Sequence, residues 1–263
     1  MLGQATAPLY PAPRRWVRRA WGAADIDVRQ KWQVLWPHLA RLPRTSLRVL
    51  DAGSGDGQWA MELAARRPRW QVTGLDCSYD RVVTATAASR RLQLHNADFV
   101  CADFLAFQPT VTYDAVLTVD SAHYLVEEGA GAQLFQRFGT WLVPGGRLLL
   151  LGPRRVDEVP RLRHLPLPFR PRDLFDADAL LALCRGAGLT VDLLAPCVGP
   201  LATYAKQLSR YAGASRVRQL ASYPLQLVLT LGDGLRGAAA DVRRGMPSAA
   251  WLLLAHRAPP VGA

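Results

Sequence analysis

The stretch "LRVLDAGSGDGQWAMEL", residues 47–63, decides the fold. An apolar run over 47–52 carries one acid, Asp51, and gives way to Gly53, Gly55 and Gly57. Apolar residues then return at helical spacing, at Trp59, Leu63 and Ala64. A buried parallel strand, a tight turn and a helix read in that order. The glycines let the backbone approach a ligand closely. A dinucleotide fingerprint, G-x-G-x-x-G, would place its third small residue at position 58, which is Gln. A phosphate loop of the G-x-x-x-x-G-K type is absent from the chain. Asp51 would repel a pyrophosphate and suits a ligand that carries an ammonium group.

Working outward, strand-like and helix-like patterns alternate. "WQVTGLD" (70–76) is a second strand, and Ser78 caps "YDRVVTATAASRR", with Asp80 in the first helical turn. "FVCAD" (99–103), "YDAVLTVD" (113–120) and "RLLLLG" (147–152) are the next strands. The helix "GAGAQLFQRFGTWL" ends before a "VPGG" turn. The helix "DADALLALCRGAG" has Gly186 and Gly188 near its C-terminus and precedes "LTVDLLA" (189–195). "AAWLLLAHRAP" (249–259) is a last strand. Repeated strand–helix units predict a doubly wound α/β sheet, with ligands bound at the carboxyl ends of its strands. Two of those ends carry acids. Asp76 lies about 20 residues past the glycine turn, where a carboxylate accepts from two ribose hydroxyls. Asp103, in "CADF", is placed to accept from an adenine amino group, with Phe104 or Ala102 packing on or near the ring. Asp98 is its rival; Asp103 is preferred because "FVCA" is the strand and its carboxyl end faces the ligand. An ammonium, a ribose and an adenine without pyrophosphate describe S-adenosylmethionine.

"VLDAGSGDG", "GLDCS", "CADFLAF", "YDAVLTVDSAHYL" and "WLVPGGRLLLLG" occur in order. Together they resemble the class I S-adenosylmethionine-dependent methyltransferases of the small-molecule type, over roughly residues 45–195 and the closing strand. The resemblance implies a Rossmann-like sheet of about seven strands, the last antiparallel. It implies that Asp51, Gly53, Ser54, Gly55 and Gly57 line the methionine end of the cofactor. Asp76 and Cys77 would lie at the ribose, and Ala102, Asp103 and Phe104 at the adenine. Asp120 and Ser121 would lie near the sulfonium and methyl. Cys77 also reads as a plain packing residue. Transfer of a sulfonium methyl is an in-line displacement, in which positioning of the nucleophile matters most. It needs no metal, and no His/Asp cluster suggests one. In "DSAHYL", His123 is the candidate base and Tyr124 a second candidate catalytic residue.

The formal net charge of +11 is unevenly distributed: +6 over residues 1–46, −1 over 47–195 and +6 over 196–263. Thirty of the thirty-two basic residues are Arg; the two lysines are Lys31 and Lys206. The chain therefore divides into a basic helical N-terminal flank (1–46), a cofactor-binding core (47–195), a helical insert (196–248) and a closing strand with tail (249–263). The flank and insert are rich in Trp and Tyr, including Trp32 and Trp36 one turn apart. They are expected to form a lid over an apolar or anionic small-molecule acceptor, or to contact an anionic membrane surface. A nucleic-acid methyltransferase using the basic flanks is the alternative; "DSAH" stands where base-methylating enzymes carry an "NPPY"-like stretch. A non-catalytic cofactor-binding homologue is a further alternative. Cys77, Cys101, Cys184 and Cys197 form no CxxC pair and are expected to be reduced, mostly buried thiols of a cytoplasmic protein. A membrane span and a secretory signal are not expected.

Overall fold

The computed structural model describes residues 26–127, 129–153, 175–197 and 250–259, together with Val228. The helices are α1 (Ile26–Leu39), α2 (Gln58–Arg66), α3 (Tyr79–Arg91), α4 (Ala122–Glu127), α5 (Gly131–Trp141) and α6 (Ala177–Gly186). The strands are β1 (Arg48–Ala52), β2 (Gln71–Asp76), β3 (Ala97–Cys101), β4 (Tyr113–Val119), β5 (Leu142–Pro153), β6 (Leu189–Cys197) and β7 (Ala250–Arg257). They form a seven-stranded sheet in the order β3-β2-β1-β4-β5-β7-β6. β1 pairs in parallel with β2 and β4, and β7 runs antiparallel to both β5 and β6. This is the expected doubly wound α/β sheet with an antiparallel last strand.

Alternation along the central strands divides the core into two layers. Val49, Leu117 and Leu149 face one side, where they join Trp32, Leu35, Leu39, Trp59, Leu63 and Trp70 from α1, α2 and their connections. Leu50, Val116 and Leu148 face the other, with Phe135, Phe138 and Trp141 of α5 and Leu180 of α6. Strands buried on both faces explain the near-continuous apolar runs.

Several expectations need correction. β3 is Ala97–Cys101, two residues earlier than "FVCAD". "VPGG" is not a turn before β5 but part of it. Tyr113 pairs with Leu142 and Ala115 with Arg147, so residues 143–146 bulge opposite Asp114. Gly145 supplies the positive φ (76°) that the bulge requires. Ser78 stands at the N-cap position of α3 without a side-chain capping bond; instead its N–H donates to Asp76 Oδ1 (2.9 Å). Trp32 is buried, its ring stacked on Trp36 (5.2 Å) and on Trp59 of α2 (5.1 Å), with the Arg66 guanidinium 5.0 Å from its centre. The thiols split evenly: Cys184 and Cys197 are buried, Cys77 and Cys101 exposed. Most of the flank (1–25) and nearly all of the 196–248 insert lie outside the described residues. The insert's first two residues, Pro196 and Cys197, complete β6. Among the described residues no helix is long and apolar enough to cross a membrane, and no group of His, Cys, Asp or Glu could hold a metal ion.

Candidate functional site

The carboxyl ends of β1, β2, β3 and β4 carry the predicted acids, and the sheet order places those strands side by side. Gly53, Gly55 and Gly57 all have positive φ (83°, 54° and 79°), which explains why three glycines alternate here. Two of them also lack room for a side chain. A Cβ on Gly53 would stand 2.2 Å from Ser121 Cβ, and one on Gly57 would stand 2.6 Å from the Phe99 ring. The turn is closed by Asp76, whose Oδ2 accepts from the Gly55 N–H (2.8 Å).

Asp51 lies beneath this turn and is only 1 % exposed. Its Oδ2 accepts from the Ala60 N–H (3.0 Å) and so caps the start of α2, while its Oδ1 has no partner. Burial pushes the carboxyl up to about 7, against the Ala60 hydrogen bond; the nearby Asp76 charge adds to the rise. Ser54, also buried under the turn, has an unpartnered hydroxyl. Buried polar atoms without partners are uncommon and costly. Two of them below one glycine turn fit a polar ligand held there.

Asp76 is half-buried and Cys77 exposed. Asp103 is exposed just past β3, and its Oδ1 accepts from the Leu105 (2.7 Å) and Ala106 (3.2 Å) N–H groups. Asp98 lies inside β3, paired in register with Thr73, rather than at its carboxyl end. Ala102 is half-buried and its N–H donates to the Asp76 carbonyl (3.1 Å). Phe104 is buried in the core below the turn, its ring tip 3.3 Å from where a Gly53 Cβ would lie.

Asp120 follows β4 with a left-handed backbone (φ 52°), and its N–H donates to Leu151 O (2.9 Å). Ser121 Oγ donates to Ala52 O (2.8 Å) and shares a 2.7 Å hydrogen bond with Thr118 Oγ1, so the loop after β4 is fastened to the glycine turn. His123 and Tyr124 open the short helix α4, which the sequence reading did not anticipate. His123 is buried and Tyr124 is 59 % exposed, with ring centres 4.0 Å apart.

The sequence reading missed one residue at this site. Lys31, on α1, is 5 % exposed, and its ammonium pairs with the Asp120 carboxylate. The pair is uneven: the Lys31 side chain is 7 % exposed and that of Asp120 32 %. Cys197, at the end of β6, senses both charges. Its buried thiol is pushed up to about 12, with Asp120 adding to the rise and Lys31 opposing it. Usage alone could have singled Lys31 out, since a lysine in a chain otherwise written in arginine calls for a reason.

Residues 49–146 match the family described as "Methyltransferase domain". The chain is 30 % identical over 151 residues to a ribosomal RNA large subunit methyltransferase G of Streptomyces avermitilis, covering 56 % of this chain and 39 % of that protein. It is 33 % identical over 164 residues to a trans-aconitate 2-methyltransferase of Paracidovorax citrulli, covering 60 % of each. The matched stretch thus spans between about two fifths and three fifths of these relatives' own length. Among solved structures, it superposes on geranyl diphosphate C-methyltransferase of Streptomyces coelicolor, determined with S-adenosyl-L-homocysteine. The TM-score is 0.58 at 17 % identity, over 86 % of this chain and 79 % of that one. Residues 49–146 are thus similar to a methyltransferase domain, and the chain shares the Rossmann-like fold of the solved structure.

Proposed function

We propose that this protein is an S-adenosylmethionine-dependent methyltransferase acting on a small-molecule acceptor, a natural product, lipid or quinone-like compound. The observation that carries the reading is the unpartnered Oδ1 of buried Asp51 beneath a glycine turn, with Asp76 ending β2 and Asp103 just past β3. S-adenosylmethionine supplies, when bound, a methyl group on a positively charged sulfur that an acceptor lone pair can attack in line. Asp51 offers the acceptor oxygen that an ammonium group needs, and the glycine turn would carry the methionine portion. The Asp76 oxygens each accept one backbone N–H and keep a lone pair for ribose hydroxyls. Asp103 and Ala102 border the adenine end, and Asp120 and Ser121 the methyl end. His123 removes the proton of an acceptor hydroxyl, and Tyr124 presents its phenol beside it. The trans-aconitate and geranyl diphosphate enzymes named above support a small acceptor of apolar or anionic character.

The test is calorimetry with S-adenosylmethionine and S-adenosylhomocysteine on the wild type and Asp76→Ala, followed by mass spectrometry of candidate acceptors. Saturable binding weakened at least about tenfold by the substitution, and an acceptor heavier by one methyl, support the reading. Absence of binding overturns it. The ribosomal RNA methyltransferase relative favours a second reading, methylation of RNA. That reading requires binding to RNA that falls steeply with salt.

A further inference from the structure

We propose that Cys77 and Cys101 form a reversible disulfide across the ends of β2 and β3, and that this bridge closes the adenosine end of the cofactor site. The closure rests on the function proposed above; the bridge itself does not. Of the four cysteines these are the two exposed ones. Asp76 and Cys101 are register partners in the parallel β2–β3 pair, and Cys77 is the next residue. Strands about 4.8 Å apart, with a rise of about 3.3 Å per residue, put residues one step out of register about 6 Å apart at Cα. Disulfides commonly span that separation. Strict alternation would send the Cys77 side chain to the face opposite Cys101. The chain bends at Cys77 as it leaves β2, which releases it from that rule. The Cys101 thiol already donates to the Cys77 carbonyl oxygen (3.6 Å), so side-chain rotation is the movement left to bring the sulfurs together.

The other two thiols mark the contrast. Cys184 and Cys197 are buried, and burial pushes each up to about 12, so they stay protonated and inert. An oxidant of the low-molecular-weight disulfide class, such as oxidised glutathione, completes the chemistry. The thiolate of one exposed cysteine attacks a glutathione sulfur, breaks the S–S bond and expels one glutathione thiolate. The thiolate of the second cysteine attacks the mixed disulfide at the protein sulfur and expels the other. Two protein thiols are oxidised, one glutathione disulfide is reduced to two thiols, and both protons pass from cysteine to glutathione. Cys77 follows Asp76, assigned to the ribose, and Cys101 precedes Ala102, assigned to the adenine border. The bridge fixes these two strand ends against each other and puts sulfur where adenosine is expected. Binding and oxidation then oppose each other, and linkage makes the opposition reciprocal.

The test equilibrates the full chain in glutathione redox buffers, alkylates the free thiols and maps peptides by mass spectrometry, with S-adenosylhomocysteine calorimetry on the same samples. Oxidised wild type is expected to lose two hydrogens and to yield a Cys77–Cys101 linked peptide, with Cys184 and Cys197 alkylated only after unfolding. Affinity is expected to fall at least about tenfold on oxidation and to return with dithiothreitol; saturating S-adenosylhomocysteine should in turn protect the two thiols. Cys101→Ser should bind as reduced wild type does and give no linked peptide. Two free thiols, or a separate glutathione on each, in oxidised wild type overturn the proposal. A linked peptide with unchanged affinity overturns the closure. Reduced wild type that binds no cofactor overturns the function itself, and the peptide map reads the bridge independently of that failure.

Discussion

A charged Asp51 sits where the folded chain disfavours charge, and this sets stability against binding at a single residue. Its carboxyl is raised from 3.8 to about 7, first by burial. Between those values the folded state keeps a proton that the unfolded state has released. Stability therefore falls as pH rises from about 4 to about 7, and the penalty is complete above 7. An ammonium ligand prefers the carboxylate, so cofactor affinity should rise with pH up to about 7 and then level off. Asp51→Asn removes the charge at nearly constant shape. At pH 8 it is expected to melt higher than wild type, yet to bind cofactor at least about tenfold more weakly and without the pH dependence. Melting curves and calorimetry on the same samples check this; a variant that binds as wild type does at pH 8 would remove Asp51 from the site. His123 is testable separately. Loss of a general base costs about 100-fold or more in turnover. Full turnover of His123→Ala at saturating acceptor would exclude the base role.

Elements position these residues, and here legibility in the sequence was uneven. The β1–turn–α2 unit was plain, because alternating glycines have few uses other than positive φ and close approach. Gly53→Ala meets both constraints, a φ of 83° and Ser121 at 2.2 Å, and should cost about 2–4 kcal/mol together with cofactor binding. Gly145→Ala shares the positive φ (76°) but meets nothing within 4 Å, so about 1 kcal/mol and unchanged binding are expected. Denaturant melts of the two variants give the comparison, and equal losses would contradict the steric account. The β5 bulge was not legible, since "VPGG" has the composition of a turn whether or not pairing continues through it. Helix α1 was legible as a helix, but its partner was not. Amphipathic spacing at Trp32 and Trp36 cannot distinguish a lid from a core-facing stripe. The stacking on Trp59 and the complete burial of Leu35 and Leu39 identify the stripe. Trp32→Ala should cost about 3–5 kcal/mol and loosen α1 from α2.

At the scale of the molecule, the order of the strands brings scattered acids to one edge of the sheet. Asp51, Asp76, Asp103 and Asp120 lie on or just after β1 to β4, which are neighbours in the sheet. Strand-end position is what the sequence reveals well, so these residues could be found without coordinates. The Lys31–Asp120 pair joins residues 89 apart across two elements, and no local pattern reports such a contact. The acceptor was the least legible feature, because the core of this fold binds the cofactor and additions to it select the substrate. The +6 net charges of the two flanks suit an anionic acceptor or surface, and they make salt a useful variable. For a small-molecule enzyme, RNA binding should be weak, without the steep salt slope of a protein that neutralises many phosphates. Filter binding across a range of salt concentrations checks that. The most direct measurement of the central claim is titration calorimetry of the full chain with S-adenosylmethionine at pH 8. The expected result is saturable one-to-one binding that Asp76→Ala and Asp51→Asn each weaken at least about tenfold. No heat of binding from wild type, or equal binding by all three proteins, would contradict the account.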